Sequence, residues 1–199
     1  MLLAIDCVTA ACSAALIEGD ELIAEAHEIV GRGHAERLIP MIAEMIGDRR
    51  PDSILVDCGP GSFTGLRVGL AAAHGLALGW QVPLAGYSSL ALLAAASGAE
   101  AAAAALQGGH GQIFVQNYGG EPFRPLDELR SLSPSQAAAS VTAAVVVGSG
   151  APALVEERGS GQAMDRLPRA ADVRLLPAAL RSLSARPIYG RAPDAKPMA

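Results

Sequence analysis

The segment "GPGSFTGLRVG", Gly59 to Gly69, decides how this chain is read. Before it, "SILVD" (Ser53 to Asp57) has the apolar run of a buried strand; after it, a helix is expected from Ser62 to about Gly79. Strand, glycine loop and helix together make an anion-binding architecture, because glycines let the backbone approach a ligand and a helix N-terminus presents unpaired N–H groups. Gly61, Ser62 and Thr64 are therefore candidate nucleotide contacts, although Ser62 or Thr64 serves equally well as a plain helix N-cap. The loop lacks the GxxxxGK[ST] pattern, and the single lysine, Lys196, lies in the tail, which excludes a P-loop NTPase. The nucleophile elbow G-x-S-x-G also fails around Ser62, because position 60 is proline.

Upstream, "LLAID" reads as a short strand, and "CSAALIEGDELIAEAHE" as two strands joined at Gly19-Asp20. From His34 to Ile46 apolar residues recur at helical spacing, with Pro40 expected to bend the helix. Downstream, Pro83 to Gly86 reads as a strand and Ser88 to Ala96 as a helix. A meander followed by crossovers gives a mixed sheet with flanking helices, an α/β lobe in the order of a ribonuclease-H-like unit. Asp6, ending the first strand, and Thr9 behind it are the best candidates for a magnesium or phosphate contact, though a carboxylate at a strand end is also common with no such role.

The second half is read with fewer landmarks. Gly111 to Gly119 and Ala143 to Gly148 are strands; "AEAAAAAL" would be helical on propensity alone, but a second meander starting there makes it a strand. Pro177 to Ala185 reads as a short helix and "GRAPDAKPMA" as a frayed tail. Two lobes of one kind, residues 1–98 and 99–199, are the simplest organisation.

The helix after the loop carries one charged residue, Arg67, between Ser62 and Trp80. A helix that is apolar nearly all round must be covered on more than one side. Gly65, Leu66, Gly69, Leu70, Ala73 and Leu76, with Leu38, Met41, Ile42 and Met45 of the preceding helix, are the expected partner interface, since small residues permit close helix–helix approach. An ordinary buried helix inside the lobe is the competing reading.

Composition narrows the function further. With 51% hydrophobic and 18% charged residues the chain is globular, and no apolar run is long enough to span a membrane. The N-terminus lacks the positive start of a signal peptide, so the cytoplasm is expected. Net charge is −5 and aromatics are 4%, without a basic stripe, so a grip on nucleic acid requires a partner. Cys7, Cys12 and Cys58 lack CxxC spacing and read as small buried thiols, and His27, His34, His74 and His110 show no metal-site spacing, so no metal is expected.

"IDCVTAACSAAL", "GHAERLIPMIAEM", "GPGSFTGLRVGLAAAHGLALG", "VPLAGYSSLALLA" and "RPIYGRAPDAKP" together resemble the TsaB family, also called YeaZ, of bacterial tRNA threonylcarbamoyladenosine biosynthesis proteins. The likeness is close over residues 1–98 and collinear beyond. It implies two lobes of the actin-like, sugar-kinase-like ATPase fold. It implies a non-catalytic partner of TsaD, the subunit that transfers threonylcarbamoyl to tRNA, with a TsaE-type ATPase joining the pair. The helices after the meander and after the glycine loop would form the shared homodimer or TsaD interface, and tRNA would be met only through the complex. Catalytic relatives carry a metal-binding H-x-x-x-H; the matching stretch "PLAGYSSLALL" has Ser89 and Leu93 there, neither able to replace a histidine ligand. Cys7 stands where the family commonly has threonine, which weakens the case for a phosphate site. No cofactor is required on this reading, and weak binding of ATP or ADP with magnesium stays open. The alternative is a stand-alone ATPase or phosphotransferase of the same fold.

Overall fold

A computed structural model describes residues 1–190. Strands β1 (Leu2–Asp6), β2 (Ala11–Glu18) and β3 (Glu21–Ile29) form an antiparallel meander. Helix α1 (His34–Ile46) leads to β4 (Ser53–Asp57), and α2 (Phe63–Trp80) to β5 (Leu84–Tyr87), both strands running parallel to β1. The sheet order is therefore β3-β2-β1-β4-β5. Helix α1 runs unbroken through Pro40, which sits on its exposed side.

Helix α3 (Ser89–Ala96) passes the chain to a second sheet built from β6 (Ala101–Gln107), β7 (Ile113–Gly119), β8 (Arg124–Pro125), β9 (Arg130–Leu132), β10 (Val145–Val147) and β11 (Gln162–Met164). Helix α4 (Pro134–Ser140) precedes β10 and α5 (Ala151–Arg158) follows it. β6 pairs antiparallel with β7, β9 lies beyond β7, and β10 and β11 continue parallel on the other side of β6. The order β9-β7-β6-β10-β11 repeats that of the first sheet, helix for helix. Both units are ribonuclease-H-like, and together they form the two-lobed actin-like, sugar-kinase-like ATPase fold.

Strand alternation sends side chains into three apolar layers. Leu3, Ile5, Leu16, Ile54 and Val56 face α1 and α2; Ala103, Ala105, Val115 and Val146 face α4 and α5. The opposite faces of both sheets share one layer, made by Ala4, Ala15, Ile17 and Leu55 from one side and Ala102, Ala104, Leu106 and Val147 from the other. Helix α3, buried on every side from Ser89 to Ala94, packs on β6 and β7. A 3-10 turn at Ala170–Leu175 crosses back onto β1 and β2, where the Ala170 amide donates to Ser13 Oγ at 2.9 Å. Each lobe is thus covered by a segment that follows the other lobe's last strand.

One sequence expectation is met against propensity, and one needs adjustment. β6 is a strand despite its alanines, because Ala102 to Ala105 are packed between two layers, and tertiary burial overrides helix propensity. Pro177 to Ala185 is not a helix: only Ala178–Leu180 makes a 3-10 turn. Arg181 closes that turn by donating to Leu176 O, and Leu183 then pairs antiparallel with Gly86, which draws the chain out straight. Most of the expected tail, residues 191–199, lies outside the described residues.

Candidate functional site

The glycine loop is shaped by its own chain. A Cβ on Gly61 would stand 2.2 Å from Val8 O, and one on Gly65 1.9 Å from Cys7 O. Both positions thus admit only glycine, because the loop between β1 and β2 lies directly against the start of α2. Ser62 caps the helix by accepting from the Gly65 amide at 3.3 Å, and its own amide donates to Val8 O at 2.6 Å. Two donors that could have faced a phosphate are engaged inside the protein.

Thr9, Gly61 and Ser62 line a cleft of about 840 Å³ between the lobes, with Leu106, Gln107, Phe114 and Ser149 opposite. Asp6 and Thr64 are not part of its wall. Asp6 is wholly buried: its Oδ1 accepts from the Val8 amide at 3.3 Å, and its other oxygen meets Asp57, the equally buried end of β4. Burial pushes both carboxyl groups above their ordinary range, and for Asp57 the neighbouring Asp6 adds to it. Gly59 N and Ser89 Oγ both donate to Asp57 Oδ1, at 2.7 and 2.8 Å, while the second oxygen of each acid is buried without another donor, beside the other carboxyl group. A magnesium ion needs carboxylate oxygens that reach it with its waters and phosphates. These two acids, buried away from the cleft wall, do not fit that role.

Of the positions where a histidine pair would sit, Ser89 is the inward donor to Asp57 and Leu93 is buried in the layer between the sheets. The mouth of the cleft carries what sequence reading overlooked. The Arg67 guanidinium lies 3.7 Å from the Phe63 ring centre, and Tyr189 meets the same ring at 5.4 Å. Phe63 and Tyr189 are about half exposed. Aromatics are so scarce here that two of them at residues 63 and 189, both inside quoted motifs, were the available signal. Ring faces and a guanidinium can hold a flat or anionic group, but they supply neither nucleophile nor base.

The interface candidates divide by burial. Leu38, Met41, Ile42, Leu66, Leu70 and Ala73 are buried against the chain's own first sheet, and Gly65 and Gly69 are buried with them; Met45 and Leu76 are half-buried at the edge of that layer. The apolar stripe that looked available for a partner is therefore the face that seats α1 and α2. Outward, α2 presents Ala71, Gly75, Leu78 and Gly79, with Leu78 82% exposed and open space at both glycines. Ile39 of α1 is exposed as well. Among the described residues, no helix is long and apolar enough to cross a membrane, and no three His, Cys, Asp or Glu side chains are grouped to hold a metal.

Residues 25–174 match a protein-family model described as TsaD, tRNA N6-adenosine threonylcarbamoyltransferase. The chain is 36% identical over 126 residues to the tRNA threonylcarbamoyladenosine biosynthesis protein TsaB of Escherichia coli, covering 59% of this chain and 54% of that protein. It is 41% identical over 101 residues to TsaB of Haemophilus influenzae, covering 48% and 42%. The chain spans about half the length of these curated relatives. Among solved structures, a Pseudomonas aeruginosa protein described as similar to peptidase YEAZ superposes with a TM-score of 0.82 at 30% identity, over 96% of this chain and 99% of that one. YeaZ from the same organism gives 0.79 at 29%, over 94% and 98%.

Proposed function

The chain belongs to the TsaB/YeaZ family, within the reach of the TsaD model, and from that premise we propose that it is a non-catalytic partner subunit. It binds a TsaD-type transferase in the cytoplasm and supports formation of threonylcarbamoyladenosine on tRNA. The observation that carries this reading is the outward face of α2, where Leu78 stands 82% exposed beside Gly75 and Gly79. Small residues there let a second helix approach closely, and Leu78 supplies apolar area to bury. The same face would serve a homodimer, and a TsaE-type ATPase would join through the assembled pair. The buried Asp6–Asp57 pair and the absence of histidine at positions 89 and 93 support a non-catalytic role over a stand-alone phosphotransferase. With a net charge of −5, the lone chain meets tRNA only through its partner.

The test is co-purification of wild type, Leu78→Asp and Gly75→Leu with the TsaD-type transferase of the same organism. Both substitutions project into open space, so the monomer keeps its fold, while association weakens about tenfold or more, equivalent to at least ~1.4 kcal/mol. Variants that stay folded and bind like wild type refute the surface. Steady ATP turnover by the lone chain, or a low-micromolar or tighter dissociation constant for tRNA at ~150 mM salt, refutes the non-catalytic partner role.

A further inference from the structure

Cys7 is the first residue of the short loop that joins β1 to β2, and Cys12 is the second residue of β2. Their Sγ atoms are 3.5 Å apart, and the two residues are 1% and 0% exposed. The β1–β2 register pairs Asp6 with Ser13, so one further step sets Cys7 opposite Cys12. Opposed residues of an antiparallel pair have α-carbons roughly 4.5–5.5 Å apart, inside the window of roughly 4.4–6.8 Å that a disulfide spans. The sulfurs therefore need to close by only about 1.5 Å to reach a bond of about 2.05 Å. Cys58 faces elsewhere, toward Val56 O and Ser184 O, each at 3.6 Å.

We infer that Cys7 and Cys12 form an oxidative modification site, a dithiol that a peroxide converts to an intramolecular disulfide within the folded chain. The two thiols are in hydrogen-bond contact and either can donate; with Cys12 as the first nucleophile Cys7 resolves, and the roles can exchange without changing the product. The Cys12 sulfur attacks one peroxide oxygen, the O–O bond breaks, and one water leaves a sulfenic acid on Cys12. The Cys7 sulfur then displaces the hydroxyl, which takes up the Cys7 proton and departs as the second water. Two thiols and one hydrogen peroxide give one disulfide and two waters; each sulfur loses one electron and each peroxide oxygen gains one.

Val8, Thr9 and Ala10, which lie between the two cysteines in the chain, are cleft wall, although the buried cysteines are not, so an oxidant would enter from that side. That loop is tied to both helix starts: Val8 O accepts from the Ser62 amide at 2.6 Å, and Thr9 O is 2.8 Å from His34 Nε2. Drawing the sulfurs together therefore acts on the ground where α1 and α2 begin.

The test treats the purified full chain with hydrogen peroxide, alkylates it in denaturant and digests it with trypsin without reductant. Arg32 is the first lysine or arginine, so Cys7 and Cys12 share one tryptic peptide, while Cys58 falls in another. The expected product is that first peptide, lighter by two hydrogens and unalkylated, from protein that keeps its native circular dichroism and regains both thiols with dithiothreitol. Cys7→Ser and Cys12→Ser each abolish it, and Cys58→Ser does not. The inference is overturned if both thiols remain alkylatable, if either stops at sulfinic or sulfonic acid, or if the cross-link joins two chains.

Discussion

Asp57 lies fully inside the protein with Asp6 as its neighbour, and burial first, then that second carboxyl, pushes its pKa well above the ordinary 3.8. The folded chain therefore keeps a proton that the unfolded chain releases. The resulting cost to stability is absent below the unfolded pKa and grows as pH rises through the interval up to the folded value, by at most about 1.4 kcal/mol per pH unit for one proton. Asp57→Asn keeps an oxygen for the Gly59 and Ser89 donors and offers its amide to Asp6. The variant should lose this slope, so its stability relative to wild type should improve as pH rises above the ordinary carboxyl range. Urea unfolding at several pH values measures this, and parallel profiles would show that the pair holds no shared proton.

At the scale of elements, α2 offers an internal contrast. Gly65 touches the Cys7 carbonyl, whereas Gly75 faces nothing within 4 Å. Gly65→Ala should cost about 1–3 kcal/mol or more through overpacking, while Gly75→Ala should stabilise by roughly 0.5–1 kcal/mol through helix propensity alone. Equal effects in thermal denaturation would mean that the loop does not rest on the helix as described. The same helix shows what a sequence can and cannot convey. Its limits, its N-cap at Ser62 and its apolar excess were legible, but not which stripe faced inward, because glycine, alanine and leucine recur on every side. In the second lobe, β9 and β11 have three residues each and are too short to show alternation. Helix α4 did leave a signal, since Ser133 and Gln136 form a capping box with Pro134 in the first turn. Asp6 and Thr9 were legible as a candidate pair at the end of the first strand, yet burial separates them: Asp6 is wholly buried and off the cleft wall that Thr9 lines.

For the whole molecule, the layer between the two sheets has a consequence for how the chain can be divided. Neither sheet owns that layer: α3 leans on β6 and β7, and the turn at Ala170–Leu175 lies across β1 and β2. A gene split between codons 97 and 100 would thus yield two fragments, each with one bare apolar face and each lacking the other's cover. Expressed separately, fragments 1–98 and 99–199 should be insoluble or only partly structured; expressed together, they should reassemble by complementation. The uncut chain should melt in one cooperative calorimetric transition. Two resolved transitions, or a soluble, fully structured first fragment, would count against this. If one transition is found, a lesion in either half weakens both, so a mutation far from α1 and α2 can still lower the abundance of the surface they carry.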